Sequence, residues 1–128
     1  MAAAQGISPQ QMKPMLEATR ANWVAFRNYD GRELIYFTQM LSFHCGIKDI
    51  RYGVNGAAAE TAFPVPACNP ANPFALDAAK DKVYLSVPLG SVTEVTVQVT
   101  YADGSKSAAA TYTPCGVAGD RTCGKLKQ

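Results

Sequence analysis

The chain has 128 residues and a formal net charge of +2, with 12 Lys and Arg, 10 Asp and Glu, and one His. This length fits one domain with a single core. So small a charge does not favour nucleic-acid binding, and Lys125 and Lys127 are expected to be a solvated tail. No apolar run is long enough to span a bilayer, so no membrane span is expected.

The four cysteines, Cys45, Cys68, Cys115 and Cys123, match no zinc-ligand spacing, and the one histidine, His44, directly precedes Cys45. Two disulfides are the better interpretation. Three pairings are open, and we favour Cys45–Cys68 with Cys115–Cys123 because both close short loops. Disulfides indicate an oxidising compartment, so we expect a periplasmic or secreted protein. The alternative is a reduced cytosolic protein with four buried or unused thiols.

The N-terminal 22 residues are predicted to be a partly helical segment. Met1–Gln5 resembles the small residues left after signal-peptide cleavage with a methionine added in front, which favours export. Ser8–Gln11 has the Ser, Pro and Gln of a capped helix start. We expect Pro14 to end that helical run, leaving a turn or two of helix over Met15–Ala21.

The first hairpin is predicted from strands over Trp23–Asn28 and Glu33–Met40, joined at Asp30-Gly31. A two-residue Asp-Gly turn sets Phe26 opposite Ile35. A helix in place of the second strand is the alternative, because its apolar residues also fit a period near 3.6.

The second face of this hairpin is also apolar. The same register sets Ala25 opposite Tyr36 and Trp23 opposite Thr38. Such an outer face is either covered by Met12–Leu16 or is a partner surface.

A second hairpin is predicted around Asn55-Gly56, following a strand over Ile47–Val54. Asn-Gly is the strongest short hairpin signal, and a two-residue turn there pairs Arg51 with Glu60 across the strands. The pair supports the register and does not indicate catalysis.

The clearest hairpin lies within Val92–Thr113. Apolar and polar residues alternate strictly from Val95 to Tyr101, as in a half-buried strand. Asp103-Gly104 is predicted as a type I′ turn in which both residues take positive φ. The resulting pairs are Val95 with Tyr112, Val97 with Ala110, Val99 with Ala108 and Thr100 with Ser107.

The proline-rich stretch Phe63–Pro73 is predicted as a crossover loop, because proline has no N–H to donate to a sheet. We expect Phe63 and Phe74 to anchor this loop to the core, in preference to forming an exposed recognition surface. Val83–Val87 is a further strand, and residues 116–128 form a disulfide-pinned tail.

About seven short strands, three Asx-Gly turns and no long helix predict an all-β fold. We expect an antiparallel immunoglobulin-like β-sandwich over residues 23–115. Trp23 precedes the first cysteine, so the Cys…Trp…Cys arrangement of antibody domains is not present.

Two stretches, Ile50–Gly56 and Val92–Gly104, resemble the Ig-like accessory domains of secreted bacterial proteins, which often carry a Y-S-V-N-G strand and a later V-T-Y-A-D-G hairpin. Trp23–Gly56 as a whole is similar to short uncharacterised exported proteins of proteobacteria. The resemblance implies an exported domain, and the uncharacterised proteins carry over no function. The four cysteines depart from the usual accessory domain and argue against a simple spacer.

Catalytic chemistry is not indicated. Adjacent residues on an extended chain point to opposite faces, so His44 and Cys45 are not expected to form a dyad. Asp77 and Asp81 lack the ligand rhythm of a calcium site. We therefore predict no catalytic residue, no metal and no cofactor.

The leading hypothesis is a non-enzymatic exported binding or assembly module that presents an aromatic face or the proline-rich loop to a protein or glycan. A secreted hydrolase inhibitor using a disulfide-pinned loop is the alternative, and a small enzyme using His44 is a third reading. The predicted binding residues are Trp23, Tyr29, Tyr36, Phe63 and Phe74.

Overall fold

A computed structural model describes residues 8–69, 71–77, 81–115 and 122–127. The proposed cleavage remnant Met1–Gln5, residues 78–80 between Asp77 and Asp81, and residues 116–121 of the predicted tail lie outside these ranges. The elements are α1 (Pro9–Ala18), β1 (Ala25–Tyr29), β2 (Arg32–Tyr36), α2 (Thr38–Leu41), β3 (Ile47–Val54), β4 (Thr61–Phe63), β5 (Tyr84–Pro88), β6 (Val95–Tyr101), β7 (Ala110–Pro114) and β8 (Gly124–Leu126).

The strands form two antiparallel sheets, one of three strands in the order β1-β2-β5 and one of five in the order β4-β3-β6-β7-β8. The mostly antiparallel β architecture is confirmed, with eight described strands where about seven were expected. The additional strand, β8, lies in the predicted tail. Phe26 and Cys123 exchange two backbone hydrogen bonds of 2.9 Å, which link the two sheets at one edge. Within the described ranges, no helix has the length and apolar character needed to cross a membrane.

The first hairpin has the predicted turn and register. Asp30 and Gly31 take φ of 54° and 74°, and Phe26 lies opposite Ile35. The second strand, however, stops at Tyr36, and residues 38–41 form the short helix α2. The predicted strand to Met40 is therefore wrong beyond Tyr36. In the helix, Met40 and Leu41 both face the core and are fully buried.

The N-terminal helix α1 has both halves of the predicted capping box, between Ser8 and Gln11. The expectation that Pro14 ends the helix is wrong, since α1 continues to Ala18. Met12 and Leu16 on its inner face are fully buried. Their packing holds the helix in place across the proline, whose missing N–H removes a single backbone hydrogen bond.

The core lies beneath α1 and between the sheets. Trp23 is fully buried, and its Nε1 donates to the Leu16 carbonyl at 2.9 Å. The predicted opposition of Trp23 and Thr38 is wrong, because β1 begins only at Ala25, after a 3₁₀ turn over Arg20–Asn22. The second face of the first hairpin was expected either to be covered by Met12–Leu16 or to be a partner surface. At Trp23 it is covered by the N-terminal segment.

The second hairpin has the predicted turn but not the predicted pairing. Arg51 lies opposite Ala62, so the expected cross-strand pairing with Glu60 is wrong. The Arg51 guanidinium contacts Asp49 Oδ2 at 2.9 Å and donates to the backbone carbonyl of Glu60 at 3.3 Å. Gly53 explains the shift. A Cβ built there would lie 2.2 Å from the Ala58 carbonyl oxygen, so the chain after the turn crosses directly over Gly53 and joins the sheet only at β4.

The β6–β7 hairpin has the predicted register at its base, where Val97 pairs with Ala110. The type I′ turn at its tip is wrong. Only Gly104 has positive φ there, at 89°, and the Tyr101 amide donates to the Ser105 carbonyl at 2.7 Å, which closes a three-residue loop. Asp103 favours this loop because its Oδ1 accepts from the Ser105 amide at 2.8 Å.

The altered tip also changes the pairs next to it. Thr100 bridges to Lys106, so its predicted pairing with Ser107 is wrong. The Ser107 amide donates to the Val99 carbonyl at 2.8 Å, so the predicted pairing of Val99 with Ala108 is wrong as well. The Ser107 hydroxyl instead accepts from the Val99 amide at 3.0 Å. An extra residue before β7 restores the predicted register by Ala110.

Both predicted disulfides are present, Cys45–Cys68 and Cys115–Cys123, with Cα–Cα distances of 4.8 and 5.6 Å. No described cysteine is free. The first disulfide ties the proline-rich loop to the 3₁₀ turn at His44–Gly46. The second joins the end of β7 to the residue before β8.

Candidate functional site

The outer face of the three-stranded sheet carries the clearest surface feature. We use "outer face" for the side of β1, β2 and β5 on which Ala25, Tyr36 and Tyr84 form a row, since Tyr36 pairs with both of the others. The neighbouring row on the opposite side is buried in the core and consists of Phe26, Ile35 and Leu85. The alternation of a half-buried sheet therefore leaves two adjacent tyrosines facing outward.

The two tyrosines form a T-shaped pair, with ring centroids 5.5 Å apart and an interplanar angle of 65°. Tyr84 is 42% exposed because β5 is the edge strand of its sheet. Tyr36 is half-buried. An edge-to-face pair leaves ring surface free for a further apolar contact.

A cleft of about 260 Å³ opens beside Tyr36, and we call it the Tyr36 cleft. Ala25 lies directly across from Tyr36 and its small side chain leaves room for the cleft. The cleft is lined by Asn22, Ala25, Tyr36, Thr38, Gln39 and Thr122.

The lining residues come from three separate stretches of the chain, residues 22–25, 36–39 and 122, that the fold brings together. Asn22 ends the 3₁₀ turn before β1, and Thr38 and Gln39 begin α2 immediately after β2. Thr122 precedes Cys123, whose backbone pairs with Phe26 and whose side chain is in a disulfide. The cleft is therefore built on hydrogen-bonded and cross-linked backbone.

The polar side chains of the Tyr36 cleft have unused hydrogen-bonding groups. Within the described part of the chain, the side chains of Asn22, Gln39 and Thr122 make no hydrogen bond to another residue, and neither do the hydroxyls of Thr38 and Tyr36. The lining residues that the structure describes carry no charge. The site can therefore donate and accept hydrogen bonds to a ligand without an ionic contact.

The predicted binding residues do not lie on one surface. Trp23 and Phe63 are 0% and 3% exposed and belong to the core. Tyr29 is exposed at the hairpin tip, where the Arg27 guanidinium lies 4.2 Å from its ring centroid. Phe74 is 40% exposed at the end of the proline-rich loop, and its ring packs edge-on against the ring of Phe43. Of the five, Tyr36 alone lines the cleft.

Sequence reasoning missed Tyr84, Gln39 and Thr122 as members of this site. The pairing of β5 with β2 joins segments about 50 residues apart, and no local signal specifies such long-range pairing. The predicted hairpin register places Tyr36 opposite the small Ala25. This is the one local signal that the Tyr36 ring has space beside it.

The groups considered for catalysis have structural roles. His44 is buried, and its Nδ1 lies 2.8 Å from the Leu41 carbonyl oxygen. Cys45 beside it is in a disulfide. Glu33 is buried and its Oε1 accepts from the Val92 amide at 3.0 Å. Among the described residues, no three His, Cys, Asp or Glu side chains are grouped so as to hold a metal ion.

A smaller cleft of about 80 Å³ lies between α1 and the β6–β7 tip, and its charged groups are engaged with each other. Lys13 Nζ contacts Asp103 Oδ2 at 3.3 Å and Ser105 Oγ at 2.8 Å. Hydrogen bonds from Ser105, aided by Lys13, lower the pKa of Asp103 to about 2. Burial and a hydrogen bond to Glu17 raise the pKa of Tyr101. These contacts fasten α1 to the hairpin.

Comparison with known proteins yields no relative of this chain. No family model matches it, no curated protein matches it, and no solved structure matches it.

Proposed function

We propose that this protein is a non-enzymatic exported binding module whose ligand contacts the Tyr36 cleft and the adjoining Tyr84 ring. The observation that carries the proposal is the T-shaped Tyr36–Tyr84 pair beside a cleft of unbonded polar side chains. Exposed aromatic rings next to convergent hydrogen-bonding groups are typical of ligand sites. Elsewhere among the described residues, His44, Glu33 and Asp103 make contacts that hold the fold together, so this cleft is the best-supported contact surface.

Export is supported by the two disulfides, which persist in oxidising compartments. An immunoglobulin-like sandwich is the arrangement we propose for the two antiparallel sheets, on the grounds of their strand number and hairpin turns. A binding rather than enzymatic role is supported by the structural partners of His44 and Glu33.

The test is affinity fractionation of material from the cell surface and the culture medium of the source organism on the immobilised, oxidised protein. Tyr84→Ala removes the exposed ring, and Tyr29→Ala removes a comparably exposed tyrosine, 52% against 42%, elsewhere on the same sheet. We expect material, protein or polysaccharide, that the wild type and Tyr29→Ala retain and Tyr84→Ala does not. Equal retention by all three proteins, or none by any, would overturn the proposal.

A further inference from the structure

We infer that the ligand of the Tyr36 cleft is a neutral glycan segment, one of whose sugar rings lies against Tyr36 and Tyr84 while its hydroxyls bond to the lining amides and hydroxyls. This inference rests on the proposed function and narrows it to one class of ligand. It is carried by three properties of the cleft: its uncharged lining, its unbonded polar groups and its tyrosine pair.

The charges around the cleft do not favour an ionic ligand. The six lining residues are uncharged. The nearest cation along β2 on the outer face, Arg32, donates to Ser86 Oγ at 3.1 Å and to the Ser86 carbonyl at 3.2 Å. Arg27 lies over the Tyr29 ring, toward the tip of the hairpin. Among the described residues that line the cleft, a phosphate, an acidic peptide or an anionic polysaccharide would find no cation.

The hydrogen-bonding groups match those of a sugar. The Asn22 and Gln39 amides each offer donors and an acceptor, and the Thr38 and Thr122 hydroxyls can do either. Sugar hydroxyls likewise donate and accept. A cleft in which every polar group has both roles can therefore satisfy several hydroxyls of one ring without leaving a buried group unpaired.

The tyrosine pair supplies the apolar half of the contact. A sugar ring has one face lined with C–H groups, and an aromatic ring face is the complementary surface for it. Tyr36 reaches the cleft, and Tyr84 extends the aromatic surface to the edge strand, 5.5 Å away. A glycan chain can therefore continue past the cleft along β5.

The dimensions agree with one ring in the cleft. Its volume of about 260 Å³ lies just below the range of about 300–1,000 Å³ for sites that enclose whole drug-sized ligands. Asn22, Thr38 and Thr122 are exposed, so the cleft is open at its mouth. These features suit one residue of an extended polymer better than an apolar side chain of a protein partner, since Ala25 is the one aliphatic residue among the described lining residues.

The experiment is titration calorimetry of the oxidised protein with oligosaccharides of defined charge. The neutral panel consists of oligomers of glucose, mannose, galactose and N-acetylglucosamine. Oligogalacturonate is the acidic probe and deacetylated chitosan oligomer the basic one. Each titration is run at low and high salt, because binding without ionic contacts changes little with ionic strength.

Three variants locate the binding. Ala25→Tyr fills the cleft, Gln39→Ala removes one amide, and Tyr84→Ala removes the exposed ring; Tyr29→Ala is the control. Emission from buried Trp23 confirms that each variant is folded, so Gln39→Ala and Tyr84→Ala keep the test valid if Ala25→Tyr does not fold. We expect at least one neutral oligosaccharide to bind with little salt dependence, and the cleft variants to bind it at least about tenfold more weakly.

Other outcomes overturn the inference. These are no binding of any neutral oligosaccharide, preference for a charged probe with steep salt dependence, or neutral binding that the cleft variants leave unchanged. If the affinity fractionation retains a protein through Tyr84 while the neutral panel fails, the binding-module proposal stands and the glycan inference is wrong. If neither experiment shows dependence on Tyr84, both are wrong.

Discussion

Leu16→Ala tests whether α1 is an integral cover of the core. The Leu16 side chain is fully buried, and its carbonyl accepts the Trp23 indole N–H. Removing three carbon atoms costs about 2.4 kcal/mol in transfer free energy, and the cavity left behind adds to this, so we expect a loss of about 3 kcal/mol. With an m-value of about 2 kcal/mol per molar urea, the unfolding midpoint should fall by about 1.5 M.

The assay is urea unfolding followed by the emission of Trp23, the one tryptophan of the chain. Leu89→Ala is the matched control, because Leu89 is 56% exposed after β5 and its truncation should change stability by less than about 0.5 kcal/mol. If Leu16→Ala and Leu89→Ala shift the midpoint equally, α1 does not cover the core as described.

Three further predictions concern separate parts of the fold. Gly53→Ala should destabilise the protein by about 1–3 kcal/mol, because the new Cβ meets the backbone that crosses over it; an unchanged thermal midpoint would contradict that crossing. The Asp103 carboxyl should titrate by NMR with a midpoint of about 2, and Ser105→Ala should raise it. Since this pKa is lowered on folding, the stability linked to the ionised carboxyl is fully present at a pH above the ordinary pKa of an aspartate and is lost as the pH falls toward 2. A titration midpoint at the ordinary pKa of an aspartate would rule out the Ser105 hydrogen bonds. The double substitution Cys45→Ser with Cys68→Ser should cost about 3 kcal/mol by freeing a loop of sequence separation 23, and an unaltered urea midpoint would show that this loop does not constrain the unfolded chain.

Local signals predicted the hairpins where turn chemistry and alternation agree. The Asp30-Gly31 turn set Phe26 opposite Ile35, and the alternation from Val95 set Val97 opposite Ala110, as the structure has them. The period of two ties each residue to one face, so a wrong register would have exposed the core row. The two disulfides also follow from short loops between cysteines.

The errors arose where a side chain or a tertiary contact overrides the local rule. Asp103 bonds to Ser105 and so favours a three-residue loop over the two-residue turn. Gly53 admits a close crossing of backbone, which moves the pairing of Arg51 by two residues. Burial of Leu16 holds α1 together across Pro14. Each of these depends on contacts that a one-dimensional pattern does not contain.

The candidate site was predicted only through Tyr36. Its other members lie in the turn before β1, in α2, in β5 and beside Cys123, and only the complete fold brings these segments together. Aromatic residues were singled out for their type, and two of them, Trp23 and Phe63, are core residues. Residue type alone does not separate a large core side chain from a binding platform.

The most direct test of the binding site is an NMR titration of the isotope-labelled, oxidised protein with the neutral oligosaccharide panel. We predict that the backbone amide signals of Asn22, residues 36–39 and Thr122 shift with added ligand, while those of Tyr29 and Phe74 remain in place. Shifts confined to the Tyr29 tip or the Phe74 loop, or no shift with any oligosaccharide, would contradict the assignment of the Tyr36 cleft as a glycan site.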